Sequence, residues 1–280
     1  MVARYKIRTY EHIGKFLADA ESWLLVNEAE NNVVLAIAQV LASDDHPFHD
    51  PVYLASIEEH GTLIGCAVAA PPDGLELTDL PAGVAPLLAA GVARLRPELP
   101  WVGGSRRAAL EFARAWVRDF GGDWRVSHDW RLFCLDDVVA PRPAPGRLRL
   151  AENGDWAELQ DWGPGYSRDM NTPVDVTAFL QRRLRRGELY IWDHDGPKSI
   201  VAVSGNTRNV ARISAVYTPE SYRGRGYASN AVAAVSRDAL AKGAESCVLF
   251  ADPEPAPPAR IYRSIGYRPV FEHVLIELSR

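Results

Sequence analysis

Cysteine is scarce in this chain, three in 280 residues. Cys66, Cys134 and Cys247 all stand in apolar, strand-like runs, and none is spaced C-x-x-C. An odd, sparse set of this kind reads as reduced core thiols and points to a cytoplasmic address. Long apolar runs are missing too. Nothing reaches the length of a signal peptide or a membrane span, and Met1 to Tyr10 is mixed and polar, so no membrane partner is expected. Positive charge is not in excess. With 31 Lys and Arg against 36 Asp and Glu the net charge is -5, which argues against nucleic acid as the main partner. The local basic run Arg182-Arg183 and Arg185-Arg186 reads as the solvated face of a helix. What is present, 47% hydrophobic and 24% charged residues, is the composition of a globular protein, long enough for one large domain or two ordinary ones.

Two nucleotide-binding signatures are also missing. No Lys-Ser or Lys-Thr follows a glycine loop, as a P-loop requires, and Gly224-Arg225-Gly226-Tyr227-Ala228-Ser229 supplies only the first two glycines of a dinucleotide fingerprint. The surrounding order is nevertheless specific. Ala211 to Thr218 reads as a strand, Pro219 opens a loop, and from Tyr227 to Ala241 small and aliphatic residues recur at helical spacing. Gly224 and Gly226 can take backbone angles that other residues avoid. The unpaired amides of the helix's first turn, with the positive end of its dipole, suit an anion such as a pyrophosphate.

The run Arg223 to Ala228 fits Arg-x-x-Gly-x-Ala and resembles the acetyl-CoA pyrophosphate loop of the GNAT (GCN5-related N-acetyltransferase) superfamily. Further on, after a buried-strand run from Ser246 to Ala251, Ala259-Arg260-Ile261-Tyr262-Arg263-Ser264-Ile265-Gly266-Tyr267 is similar to that superfamily's second signature, a helical Tyr before Gly-Tyr. The resemblance covers about residues 147–280 and looks closest to two-domain acetyltransferases. It implies an α/β (α+β) class of tandem GNAT folds, each a mixed, mostly antiparallel central sheet flanked by helices. It also implies acetyl-CoA as co-substrate. The amides of Val216 and Thr218, with Tyr217 between them, would face the pantetheine arm like an added strand. Arg223, Gly224, Arg225, Gly226, Tyr227 and Ala228 would wrap the pyrophosphate. Tyr262 stands where many members place the acid that protonates the departing thiolate. Members often carry Asn three residues earlier, where this chain has Ala259 in a loop rebuilt as Pro253-Glu254-Pro255-Ala256-Pro257-Pro258.

Ahead of these motifs the chain reads in the same element order. Helices are expected over Glu11–Leu25 and Val33–Leu41, and a hairpin over Val52–Ile57 and Thr62–Ala70. A short run Leu75–Leu80 follows, then a helix Val84–Leu95, a strand at Trp101–Gly103 and a strongly amphipathic helix Arg106–Phe120 ended by Gly121-Gly122. Two more strands are expected at Trp124–Val126 and Arg131–Leu135. The loop before the first of these helices, Leu80-Pro81-Ala82-Gly83-Val84, has neither the Arg nor the paired glycines. Residues 1–139 are therefore read by analogy of element order as a degenerate GNAT-like half without a cofactor loop. Ala140 to Gly146, with alternating prolines, is read as a stiff linker, and 147–280 as the acetyl-CoA-binding half. Within it, strand Arg147–Leu150 precedes helices at Asn153–Asp161 and Val174–Leu184. Strands Leu189–Trp192, Ser199–Ser204 and Val274–Leu278 complete the second half.

His46 and His49, three apart beside Asp45 and Asp50, invite a metal reading. With no third ligand evident the segment is read as a polar loop and no metal is expected. Glu158, Asp169, Glu188 and His194 are available as bases, but none has a motif around it. Trp156, Trp162, Tyr166 and Met170 either line an apolar acceptor pocket or pack helices. The function expected is acyl-CoA-dependent N-acyltransfer to a small-molecule or peptide amine. The alternatives are a silent acyl-CoA-binding sensor and an O-acyl or aminoacyl transferase on the same fold.

Overall fold

The protein is described from a computed structural model covering residues 4–43, 51–70, 74–170, 176–205, 207–253 and 257–279. His46 and His49 lie outside the described residues, as do Pro71 to Asp73 and Glu254 to Ala256. The chain forms two compact units: Met1–Leu132 with Val270–Arg280, and Phe133–Pro269.

In the first unit the elements run β1 (Tyr5–Tyr10), α1 (Ile13–Val26), α2 (Asn32–Leu41), β2 (Tyr53–Glu59), β3 (Thr62–Ala69), β4 (Leu75–Leu77), α3 (Ala89–Leu95), β5 (Trp101–Ser105), α4 (Arg106–Phe120) and β6 (Asp123–Leu135). Strands β2 and β3 are buried on both faces, and their period-2 alternation divides the core. Tyr53, Ala55, Ile57, Ala67 and Ala69 pack with Leu88, Val92, Phe112 and Trp116 from the side of α3 and α4. Leu54, Cys66 and Val68 pack with Phe16, Leu24, Leu35 and Ala38 from α1 and α2. Helix α4 starts where expected because Ser105 caps it, its hydroxyl accepting from the Ala108 amide at 3.3 Å.

Three expectations are corrected here. β1 is a strand that the polar N-terminal sequence did not announce, paired antiparallel with β2. The run 84–95 begins as a 3₁₀ turn, Ala85–Leu88, before α3. β6 is one continuous strand of 13 residues rather than two short ones.

The second unit runs β7 (Arg147–Leu150), α5 (Trp156–Leu159, between 3₁₀ turns), α6 (Gly163–Asp169), α7 (Val176–Arg185), β8 (Leu189–Asp193), β9 (Pro197–Val203), β10 (Val210–Tyr217), α8 (Tyr227–Ala241), β11 (Ser246–Ala251) and α9 (Pro257–Ser264). Its strands lie in the order β11-β10-β9-β8-β7, with the Phe133–Leu135 end of β6 beside β11. The pairings β7·β8, β8·β9 and β9·β10 are antiparallel, and β10·β11 is parallel. The segment 140–146 has no helix or strand but is fastened to this unit. Asn230 Nδ2 donates to the Arg142 carbonyl and Trp192 Nε1 to the Pro145 carbonyl, each at 2.9 Å. Helix α6 was not foreseen: no element is expected between Asp161 and Val174.

The last strand, β12 (Arg268–Ser279), is longer than the expected Val274–Leu278. From Val270 onward it belongs to the first unit, paired antiparallel with β5 from His273↔Ser105 to Glu277↔Trp101. In that sheet the order is β1-β2-β3-β4-β5-β12-β6. Both units thus mix one parallel pair with mostly antiparallel strands and are flanked by helices, as the α/β (α+β) reading requires.

Candidate active site

The parallel pairing of β10 with β11 covers only Val210↔Ser246, Ala211↔Cys247 and Arg212↔Val248. Beyond Arg212 the two strands part. On its other edge β10 stays with β9, through an irregularity between Ser214 and Tyr217 where Ala215 takes φ +50°. This is a bulge, and it costs about 1–2 kcal/mol to hold a non-glycine residue there. Its effect shows in the packing. Ala211 and Ile213 face the cluster built by α8 and α9, whereas Ala215 and Tyr217 face the one built by α5, α6 and α7. The extra residue has turned the strand over.

Ser199, fully buried on β9, fixes the strand's end: its hydroxyl donates to the Tyr217 carbonyl at 3.0 Å and accepts from Thr218 Oγ1 at 2.9 Å. Because a trans peptide sets C=O and N–H on opposite sides, the Thr218 N–H points away from β9, toward the gap that β11 has left.

A 3₁₀ turn, Glu220–Tyr222, leads into the glycine loop. Gly224 and Gly226 have φ +75° and +80°, the left-handed region where a side chain is disfavoured. A Cβ on Gly224 would meet nothing within 4 Å, so that glycine borders open space. The first intrahelical bond of α8 runs from the Asn230 amide to the Gly226 carbonyl at 3.0 Å. The amides of Tyr227, Ala228 and Ser229 are therefore left for another acceptor. The Tyr227 side chain is not part of that surface: it is 4% exposed, and its hydroxyl is 3.0 Å from His194 Nδ1. Arg225 is exposed and makes no ion pair or hydrogen bond among the described residues. Arg223 is already engaged. Its Nη2 donates to Asp169 Oδ2 at 2.5 Å and its Nε to the Thr218 carbonyl at 3.0 Å. Nothing in the sequence links positions 54 residues apart.

Tyr262 projects from α9 into the core beside Phe133 and Tyr267. Burial pushes its phenol above the ordinary 10.0, so it is a neutral hydrogen-bond donor at physiological pH. Ala259, one turn earlier, is fully buried in the same cluster. Gly266 lets the chain pass close to β6: at φ +106° its Cβ would stand 2.7 Å from the Asp137 carbonyl.

Of the four possible bases, Asp169 pairs with Arg223, Glu188 with Arg183 at 2.6 Å, and His194 with Tyr227. Glu158 is exposed. Trp162 and Tyr166 pack into the helix cluster, Trp156 against it, and Met170 is 39% exposed. A cavity of about 570 Å³ opens beside the loop, lined by Gly165, Arg168, Asp169, Tyr217, Glu220 and Arg223 among others. Among the described residues no group of three or more His, Cys, Asp or Glu could hold a metal. No helix there is long and apolar enough to cross a membrane. The three cysteines are free and buried, and burial pushes the Cys66 and Cys247 thiols up to about 12.

In the first unit the turn ahead of the 3₁₀ segment Ala85–Leu88 is held by a side chain. Gly83 takes φ +79°, and its amide donates to Glu111 Oε2 at 2.8 Å.

Residues 198–276 match the family model described as FR47-like protein, a segment that contains both motifs. Solved structures align over nearly the whole chain at low identity. A GCN5-related N-acetyltransferase from Sphaerobacter thermophilus has 17% identity, with 100% of this chain and 98% of that one covered and a TM-score of 0.60. A Drosophila protein has 11% identity, 97% and 98% coverage and a TM-score of 0.68. A tandem GNAT protein from the clavulanic acid biosynthesis pathway has 13% identity, 98% coverage of each chain and a TM-score of 0.55. No curated protein matches the chain. The fold is that of the GNAT superfamily.

Proposed function

We propose that the protein is an acyl-CoA-dependent N-acyltransferase that uses acetyl-CoA and acts on an amine by direct transfer, with the cofactor bound in the second unit only. The observation that carries this reading is the parting of β10 from β11 at a bulge, followed at once by two left-handed glycines and the unpaired amides of α8. The opened edge, with the Thr218 amide turned into it, accepts an extended pantetheine arm as an added strand. Gly224 and Gly226 let the backbone close on a pyrophosphate, and the amides of Tyr227 and Ala228, with Arg225 and Arg223, supply donors and charge. Tyr262 gives the departing thiolate a proton or a hydrogen bond. Since a thiol of pKa about 8.5 leaves readily, a weak acid suffices. The acceptor would enter through the cavity beside Tyr217, Asp169 and Glu220.

A second reading, a silent acyl-CoA-binding protein, is favoured by one observation. Of the four candidate bases Asp169, Glu188 and His194 are already engaged, and only Glu158, exposed on α5, is not.

Titration with acetyl-CoA should give one site per chain, because in the first unit Glu111 already holds the Gly83 amide. Thiol release over a panel of amines, amino acids and peptides then separates the two readings. Release above the hydrolysis blank supports the transferase, and tight binding without turnover supports the sensor. Two equivalent sites would refute the division between the units.

A further inference from the structure

Among the described residues no side chain caps the N-terminus of α8. Gly226 holds that position at φ +80° and has nothing to offer the amides that follow. Asn230, one turn into the helix, reaches back instead. Its Nδ2 lies 2.9 Å from the Gly226 carbonyl and 2.9 Å from the Arg142 carbonyl. Both partners can only accept, so the side-chain amide gives one hydrogen to each. Asparagine is a poor helix former because it bonds nearby backbone. Here that habit joins the glycine loop to the Pro-rich segment.

The segment is built as a fixed support. The Val139 amide donates to the Ile265 carbonyl at 3.0 Å, and Trp192 Nε1 to the Pro145 carbonyl at 2.9 Å. A Cβ on Gly146 would stand 2.4 Å from the Asp193 carbonyl, so the segment's far end is pressed onto the end of β8. Pro141, Pro143 and Pro145 restrict the backbone between these fastenings. A Cβ on Gly226 would stand 3.6 Å from the Ala144 Cβ, which places the segment directly against the loop. The Gly226 carbonyl receives two donors, the Asn230 amide at 3.0 Å and its side chain at 2.9 Å. Together they fix the plane of the peptide that joins Gly226 to Tyr227. Its N–H lies on the side opposite the carbonyl and is one of the amides with no acceptor inside the helix. Hydrogen bonds to the carbonyl also polarise that N–H and strengthen it as a donor.

We infer that Asn230 is a positioning residue for the phosphate-binding amides, bracing the Gly226–Tyr227 peptide against the Pro-rich segment so that the loop is set for a pyrophosphate before one arrives. This rests on the acyl-CoA reading. Asn230 acts through the loop, removing in advance the freedom that a left-handed glycine would otherwise lose on binding. The Pro-rich segment thereby belongs to the cofactor site.

Acetyl-CoA is titrated by calorimetry into full-length wild type, Asn230→Ala and Asn230→Ser. Alanine is the better helix former, so α8 persists, and thermal melting checks this. Serine has one hydrogen, which from this position returns to the Gly226 carbonyl four residues back and leaves Arg142 unmet. The dissociation constant should rise about 5- to 30-fold in Asn230→Ala, the worth of two hydrogen bonds, and by a smaller factor in Asn230→Ser. Phosphorus NMR at saturation reads the pyrophosphate apart from the ribose phosphate of acetyl-CoA. The displacement of the pyrophosphate resonances from their free positions should shrink in the order wild type, Asn230→Ser, Asn230→Ala, while the ribose phosphate resonance stays alike in all three. An Asn230→Ala protein that binds as tightly as wild type, or shows the same pyrophosphate displacement, overturns the inference while leaving the cofactor reading intact. Full recovery in Asn230→Ser removes the Pro-rich segment from the site and overturns the brace. Absence of acetyl-CoA binding by wild type overturns both readings.

Discussion

Replacing Asp169 by asparagine tests whether Arg223 is a phosphate ligand held in waiting. Its guanidinium lies 2.5 Å from Asp169 Oδ2, and the two side chains are 46% and 45% exposed. Solvent screens a pair of this kind to about 0.2–1 kcal/mol. An incoming pyrophosphate must compete for the same guanidinium, so the pair subtracts its own strength from the binding free energy. Asp169→Asn keeps the size of the side chain and removes the competitor. Affinity for acetyl-CoA should then rise about 1.5- to 5-fold, and folding stability should fall by no more than about 1 kcal/mol. Removing any nearby negative charge also favours an anion, so Asp161→Asn, exposed on a neighbouring turn, serves as the control. Calorimetric titration at low and high salt reads both effects, and the gain should shrink at high ionic strength because the pair is screened. If Asp169→Asn binds no more tightly than Asp161→Asn, Arg223 is not freed to meet the phosphate and the competition is refuted.

Gly226→Val places a β-branched residue at φ +80°, which should cost about 1–2 kcal/mol of stability and weaken acetyl-CoA binding at least about tenfold. A variant that binds as wild type in calorimetry removes the loop from the site. Tyr262 has its proton affinity raised by burial, so its acid form persists beyond the ordinary phenol range. The rate should rise with pH as the amine acceptor deprotonates and should show no downturn below about pH 10. A fall in kcat that begins between pH 8 and 9 and vanishes in Tyr262→Phe would contradict this assignment of protonation state. A fragment spanning 141–280 carries Val270–Arg280 without the β5 strand these residues pair with in the first unit. It should be poorly soluble or inactive, and a monomeric, fully active fragment in gel filtration and thiol-release assays would show that the strand is dispensable.

The parts legible in the sequence are those whose signals are local. Tyr227–Ala241 and Arg106–Phe120 were bounded correctly because Gly226 precedes one and Gly121 follows the other, with a regular small or apolar face between. Ser246–Ala251 reads as a strand because it is apolar throughout. The parts that were not legible depend on partners far away in the chain. β1 looked polar because its burial is only intermittent. β6 looked like two strands because Ser127 to Trp130 are only half-buried. Gly163-Pro164-Gly165 gives no helix signal of its own, because its glycines answer to Thr177 and Tyr217 rather than to their own helix. At the site, the glycines and Tyr262 were visible in the motifs. The Ala215 bulge carries no glycine to announce it, and the engagement of Arg223 by Asp169 could only be seen in three dimensions.

The pairing of β12 with β5 has a consequence for how the protein comes into being. Residues 1–132 leave the ribosome before residues 133–269, yet their sheet has β12 between β5 and β6 and stays unfilled until residues 270–279 have been made. At about 5–20 residues per second, the roughly 165 residues between the end of β5 and Val270 leave β5 without its neighbour for roughly 8 to 33 s. During this interval Phe133–Pro269, whose own strands are already complete in the nascent chain, can fold ahead of the unit that precedes it. Residues 1–132 are thus translated before residues 133–269 yet finished after them, and a chain that stalls before residue 270 strands an unpaired β-edge in the translation apparatus.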